Sequence, residues 1–150
     1  MTLPRLLLAD DHVETRSLLR ALLQPEFDVV ADVQDGPALV RAAGQLSPDV
    51  IVTDISMPGV DGITAARAIL RRNPTARIVF VTVHGDASLV ERGLSVGALG
   101  YVLKLAAGDE LVPAVRAALR RERYVSRALE GPASMDTAKT TDRLAPYSGD

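Results

Sequence analysis

The chain contains no cysteine, which excludes a disulfide framework and any thiolate metal site. It has no apolar run long enough for a membrane span, and its N-terminus lacks the pattern of a secretory signal. A strong excess of positive charge is also missing: the net charge is −2 and the sequence pI about 5.7. Nothing in that balance draws the chain to nucleic acid or to an anionic membrane. Neither direct nucleic-acid binding nor membrane association is therefore expected, and the cytoplasm is the expected location. Repeats of the length that builds solenoids or propellers are absent as well. What remains is 150 residues, 47% hydrophobic and 24% charged, enough for one globular domain with a core.

Two kinds of segment alternate along it. Short runs rich in Val, Ile and Leu fall at residues 5–9, 27–33, 50–53, 77–83 and 100–103. They are too short for helices and almost wholly apolar, as strands buried on both faces of a parallel sheet are. Between them, apolar residues recur at helical spacing over 13–24, 37–46, 63–72, 85–97 and 109–123. Pro25, Ser47-Pro48 and Asn73-Pro74 close helices, because the residue before a proline is pushed out of the helical region. Pro37 stands where a first helical turn accepts it. This alternation predicts an α/β fold: a five-stranded parallel doubly wound sheet, flavodoxin-like order 2-1-3-4-5, with helices on both faces. The domain is expected over residues 1–130. Residues 131–150, polar and rich in Ser, Thr, Pro and Gly, are expected to be a flexible tail.

A parallel sheet delivers the C-terminal end of every strand to one edge, where ligands bind. Here the first strand runs into Asp10-Asp11-His12, the third into Asp54, the fourth into Thr82 and the fifth into Lys104. Ionised carboxylates gathered there repel, each close pair by up to about 4 kcal/mol at an effective dielectric near 20. A hard divalent cation with oxygen ligands relieves this, and octahedral geometry suits Mg²⁺. Converting one carboxylate to an acyl phosphate adds roughly one more negative charge. The metal and Lys104 can carry it, while Thr82 offers a hydroxyl. Phosphoryl transfer asks mainly for positioning and charge neutralisation.

Asp10-Asp11, Asp54 followed by Met57-Pro58-Gly59 and Asp61-Gly62, Thr82 and Lys104 together resemble the receiver domain of bacterial two-component response regulators. The stretch Gly97-Ala98-Leu99-Gly100-Tyr101-Val102-Leu103-Lys104 is similar to the NarL/LuxR-type branch, whose members usually carry a helix-turn-helix output domain. The resemblance covers about residues 4–127. It implies that Asp54 accepts a phosphoryl group from a histidine kinase or phosphotransfer protein. It further implies that Asp10, Asp11, Asp54 and the Ser56 carbonyl hold Mg²⁺, with Asp11 a direct ligand. Thr82 and Tyr101 resemble the switch pair, the tyrosine rotating inward behind the threonine, and Lys104 the lysine that pairs with phosphoryl oxygens. Ser56 and His84 occupy positions that in this family influence the lifetime of the phosphoryl group. One departure stands out. Leu105 follows the lysine where many receivers have a cis-proline, so a different loop conformation is expected there.

Other residues have plainer readings. Asp61 is expected to cap the third helix and Gly62 to allow a tight turn; His12 and His84 are set aside as ligands or acid–base groups. Arg120, Arg121, Arg123 and Arg127 read as cations at a helix C-terminus. Leu18, Ala21 and Leu22 form the core row of the first helix, and a second row, Leu19 and Leu23, is assigned to a possible homodimer surface. Gly93 weakens the fourth helix, as suits an element that moves.

Expected partners are the kinase and either a downstream protein target or a detached DNA-binding output. No turnover of an external substrate is expected. The alternative is a degenerate receiver serving as a phosphorylation-independent interaction module. A flavin-binding relative of this fold needs a hydroxyl- and glycine-rich phosphate loop after the first strand, and a haloacid-type phosphatase needs two aspartates one residue apart. Asp10-Asp11 fits neither.

Overall fold

The computed structural model describes residues 2–130; the tail expected over 131–150 lies outside the described residues. The elements are β1 (Arg5–Ala9), α1 (Val13–Leu23), β2 (Asp28–Val33), α2 (Gly36–Leu46), β3 (Val50–Thr53), α3 (Gly62–Arg72), β4 (Ile78–Thr82), α4 (Ala87–Ser95), β5 (Gly100–Leu103), a 3-10 turn at Lys104–Ala106, α5 (Ala107–Leu119) and β6 (Tyr124–Val125). One parallel sheet has the order β2-β1-β3-β4-β5-β6. The first five strands keep the expected order. The sixth corrects the expectation of five.

That correction has a local cause. The last helix ends at Leu119 rather than 123, and Arg121 adopts the left-handed conformation at φ 61°. The chain turns there and lays Tyr124 and Val125 beside Gly100 and Tyr101. Two residues cannot display a strand period, so the sequence carries no visible signal for β6. Arg121 donates to the Thr75 carbonyl, and Arg120 pairs with Glu122 at 3.0 Å. Part of the arginine cluster thus ties the end of α5 to its surroundings.

Alternating strand residues feed two cores, as the pleat requires. Leu6, Leu8, Val50, Val52, Val79, Val81 and Val102 pack with α1 and α5. Leu7, Ala9, Ile51, Ile78, Phe80 and Tyr101 pack on the other face, with α2, α3 and α4. On α1 the two apolar rows exchange the roles read from sequence. Leu19 and Leu23 are buried at 1% and 0% exposure, Leu22 packs partly against them, and Leu18 is 61% exposed. A dimer surface built on Leu19 and Leu23 is therefore ruled out: those side chains are the core. Both rows satisfied helical spacing, and only the angle at which α1 meets the sheet separates them.

Gly93 also acquires a different role. It is buried, and a Cβ placed there would lie 3.2–3.3 Å from the Phe80 and Tyr101 rings. The glycine lets α4 settle closely on the sheet; Leu89, Val90 and Leu94 complete the contact, half-buried.

Leu19→Ala should lower unfolding free energy by about 2–5 kcal/mol, while Leu18→Ala should change it by less than about 0.5 kcal/mol. Urea denaturation of both variants distinguishes the rows; the reverse ranking would restore the sequence expectation.

Candidate functional site

Asp10 follows β1 and Asp54 follows β3, and both are almost completely buried. Adjacent parallel strands set them side by side: Ala9 pairs with Thr53, and the Asp54 N–H donates to the Ala9 carbonyl at 3.0 Å. Each carboxylate also has a backbone donor. His12 N–H donates to Asp10 Oδ1 at 2.9 Å, and Ile55 N–H to Asp54 Oδ1 at 2.7 Å. Lys104, leaving β5 on the far side, closes the group. Its Nζ stands 2.8 Å from Asp54 Oδ2 and 2.9 Å from Asp10 Oδ2. Both are close ion-pair contacts, and the one to Asp54 is also a well-aligned hydrogen bond.

Burial opposes a charged ammonium, yet the Lys104 pKa is raised above its ordinary value because Asp54 and Asp10 together outweigh that penalty. Lys104 is therefore a fixed cation at neutral pH. Asp11, half-exposed, keeps Oδ1 buried and without a hydrogen-bond partner. The carboxylates of Asp10 and Asp11 on adjacent residues, beside that of Asp54, make a hard oxygen donor set. Such a donor set suits Mg²⁺ by its chemistry, although the group drawn together in this structure is Asp10, Asp11 and His12 rather than one with Asp54; the exposed Ser56 lies on the loop leading away from Asp54.

Sequence reasoning set His12 aside, but its Nδ1 lies 3.2 Å from Asp11 Oδ1 and 3.7 Å from Asp10 Oδ1, on a largely exposed ring. Asp10, Asp11 and His12 are the one His/Asp/Glu group among the described residues compact enough to hold an ion. Arg16, one turn into α1, was missed altogether. Its guanidinium donates to the Asp10 carbonyl at 2.8 Å and to Asp32 Oδ1 at 3.2 Å. This fixes the β1–α1 turn that aims the acidic pair. A basic residue four positions after a helix start was the available signal.

Thr82 is fully buried at the end of β4, and its Oγ1 accepts the His84 N–H at 3.2 Å. Tyr101 is fully buried too: its ring already lies inward, edge-on to Phe80 with centroids 6.3 Å apart. Its hydroxyl donates to the His84 carbonyl at 2.7 Å. Burial, then the carboxylates of Asp86 and Asp54, push the phenol pKa up to about 12, so it remains a donor. The His84 imidazole completes the ring of contacts, with Nε2 2.8 Å from Ser56 Oγ. The two positions linked by resemblance to phosphoryl lifetime thus touch each other.

Asp61 caps α3 as expected, accepting Thr64 N–H at 2.7 Å. Gly62 has another reason than a tight turn: a Cβ there would sit 2.0 Å from the Asp54 carbonyl oxygen. Only a glycine lets α3 begin against the backbone that carries Asp54. Beyond Lys104, the 3-10 turn leaves Leu105 fully exposed, and every described peptide bond is trans.

Comparison with known proteins agrees with this geometry. The family model described as "Response regulator receiver domain" matches residues 6–116. The transcriptional regulatory protein DegU of Brevibacillus brevis is 37% identical over 123 residues, covering 81% of this chain and 52% of that protein. LiaR of Bacillus subtilis strain 168, also a transcriptional regulatory protein, is 39% identical over 129 residues, 85% of this chain and 61% of the relative. The crystal structure of a LuxR-family two-component response regulator from Aurantimonas sp. SI85-9A1 superposes with a TM-score of 0.85 at 31% identity. That match covers 92% of this chain and all of the other. This chain belongs to the response-regulator receiver family, and it spans about half to three-fifths of the length of these two curated relatives.

Removing Lys104 leaves two buried carboxylates facing each other. In metal-free buffer at neutral pH, Lys104→Met should lower unfolding free energy by about 3 kcal/mol, read by urea denaturation. An unchanged midpoint would show that water or rearrangement already screens the pair.

Proposed function

We propose that this receiver accepts a phosphoryl group on Asp54, with Mg²⁺ bound, and so switches a partner or output in two-component signal transduction. The observation that carries this reading is the Lys104 ammonium held between the buried carboxylates of Asp54 and Asp10, with Asp11 adjoining. A site of that kind has surplus negative charge and a fixed cation shared by two carboxylates. It is poised for a divalent ion and for one further anionic group.

In the proposed reaction an Asp54 oxygen attacks the phosphorus of a phosphohistidine on a histidine kinase or phosphotransfer protein. The new O–P bond forms as the P–N bond breaks, and the departing imidazole leaves neutral or takes a proton from water. Ile55 N–H holds Asp54 Oδ1 in place, which fixes the carboxylate plane before attack. Lys104, already paired with Asp54 Oδ2, stays to neutralise the phosphoryl oxygens. The Thr82 hydroxyl supplies a hydrogen bond to the new group. Asp10, Asp11, Asp54 and the Ser56 carbonyl would hold Mg²⁺, which supplies charge neutralisation for the transferring phosphoryl group. Hydrolysis of the acyl phosphate resets the switch, so the chain turns over no external substrate.

The proposed setting is the cytoplasm, with a kinase upstream and a protein target or DNA-binding output downstream. Among the described residues no helix is long and apolar enough to cross a membrane. DegU and LiaR are both described as transcriptional regulators, and a transcriptional output is proposed here on that likeness.

Incubation with acetyl phosphate and Mg²⁺, followed by intact-mass measurement, should add one phosphoryl group. The addition should vanish in Asp54→Asn and when Mg²⁺ is chelated. No added mass after rapid quenching, together with no binding of beryllofluoride, would leave a phosphorylation-independent interaction module.

A further inference from the structure

We infer that residues 124–130 form a strap seated on the switch residues, and that phosphorylation of Asp54 loosens this strap. The inference rests on Asp54 being the phosphoacceptor, as proposed above.

The seat is built from few groups. Tyr124 N–H donates to the Leu99 carbonyl and Ser126 N–H to the carbonyl of Tyr101, both at 2.9 Å. The Ser126 hydroxyl accepts Leu103 N–H at 2.9 Å, one residue before Lys104. It also donates to Glu110 Oε1, a buried carboxylate of α5 that the phosphoryl site does not use. The fully buried Ser126 thus clips α5 and β5 together at the point where the strap leaves the sheet. A helical turn follows over 127–130. It sets Leu129 against Gly85, where a Cβ would be 3.1 Å from a Leu129 methyl and 3.4 Å from a Leu103 methyl.

Gly85 directly follows His84, and His84 is held by the switch pair: its N–H by Thr82 Oγ1 and its carbonyl by the Tyr101 hydroxyl. The strap therefore grips the two elements, the end of β5 and the 84–85 segment, that border the phosphoryl site. When Thr82 turns to a phosphoryl oxygen on Asp54, its hold on the His84 amide weakens and the Gly85 seat shifts beneath Leu129. Leu129 lines an open groove of about 420 Å³ shared with Val90, Leu94 and Arg123. It is half-buried rather than locked, so a small displacement releases it. Loosening by phosphorylation requires, by linkage, that loosening the strap favours the phosphorylated form.

The test measures beryllofluoride affinity with Mg²⁺ in the full chain, the parent beside Leu129→Ala and Ser126→Ala. Hydrogen exchange of the Ser126 and Leu129 amides is followed in the parent. Leu129 is partly exposed, so its truncation should fold even where loss of the buried Ser126 hydroxyl does not. The affinity should rise about fivefold or more in Leu129→Ala, and exchange at both amides should accelerate by about tenfold or more on binding. A parent that binds the mimic, with affinity unchanged or reduced in Leu129→Ala or with exchange unaltered, overturns the strap and leaves the phosphoacceptor reading intact. A parent that binds no mimic overturns both.

Discussion

The structure turns on the contact between Lys104 and the two buried carboxylates of Asp10 and Asp54. Three strands that are distant in sequence must end within a few ångströms of each other for that contact to exist. A parallel sheet with right-handed crossovers accomplishes this, because every strand points its C-terminus at the same edge. The contact is also the point of greatest electrostatic tension. Two carboxylates are fully or nearly fully buried, and a single ammonium within 2.9 Å of both must balance them. Under the proposed function, a divalent ion would complete that balance and let the site take a further anionic group.

Backbone choices keep the tension local. Gly62 allows α3 to start against the Asp54 carbonyl, and Gly36 allows α2 to start against Val60, where a Cβ would meet the carbonyl oxygen at 2.2 Å. Arg16 holds the Asp10 carbonyl from α1. The contacts of Gly62 and Arg16 hold the backbone that carries Asp54 and Asp10 between a helix start and a guanidinium. Rigidity at the acidic pair then contrasts with the far side of the site, where His84 hangs from single hydrogen bonds to Thr82, Tyr101 and Ser56.

Much of this was legible in the sequence, and the exceptions have physical causes. Buried strands read as nearly unbroken apolar runs, so β1 to β5 could be placed, and right-handed crossovers left few orders from which 2-1-3-4-5 was chosen. The convergence of Asp10, Asp11, Asp54, Thr82 and Lys104 on one edge followed from topology alone. The facing of α1 could not be read, because Leu18 with Leu22 and Leu19 with Leu23 are equally good helical rows and only packing against the sheet chooses between them. Two-residue β6 was invisible for want of a period. The purpose of Gly62 and Gly93 was hidden for a similar reason: close approach to Asp54, Phe80 and Tyr101 is a tertiary fact, while a glycine in sequence signals only freedom. The His84 contacts depend on side-chain conformers, which no spacing rule encodes.

A switch built this way must be held weakly enough to be thrown. Moving a two-state equilibrium from one part in a hundred to ninety-nine requires a differential of about 5.5 kcal/mol. The groups that hold the 84–85 segment and the strap are a few hydrogen bonds, each contributing about 0.5–1.5 kcal/mol net, and one half-buried leucine. Each is individually weak, and a longer β6 or a fully buried Leu129 would add to what a change at Asp54 has to overcome. In the proposed switch, the brevity of β6 and the open seat of Leu129 are the features through which a change at Asp54 would reach the edge of the sheet.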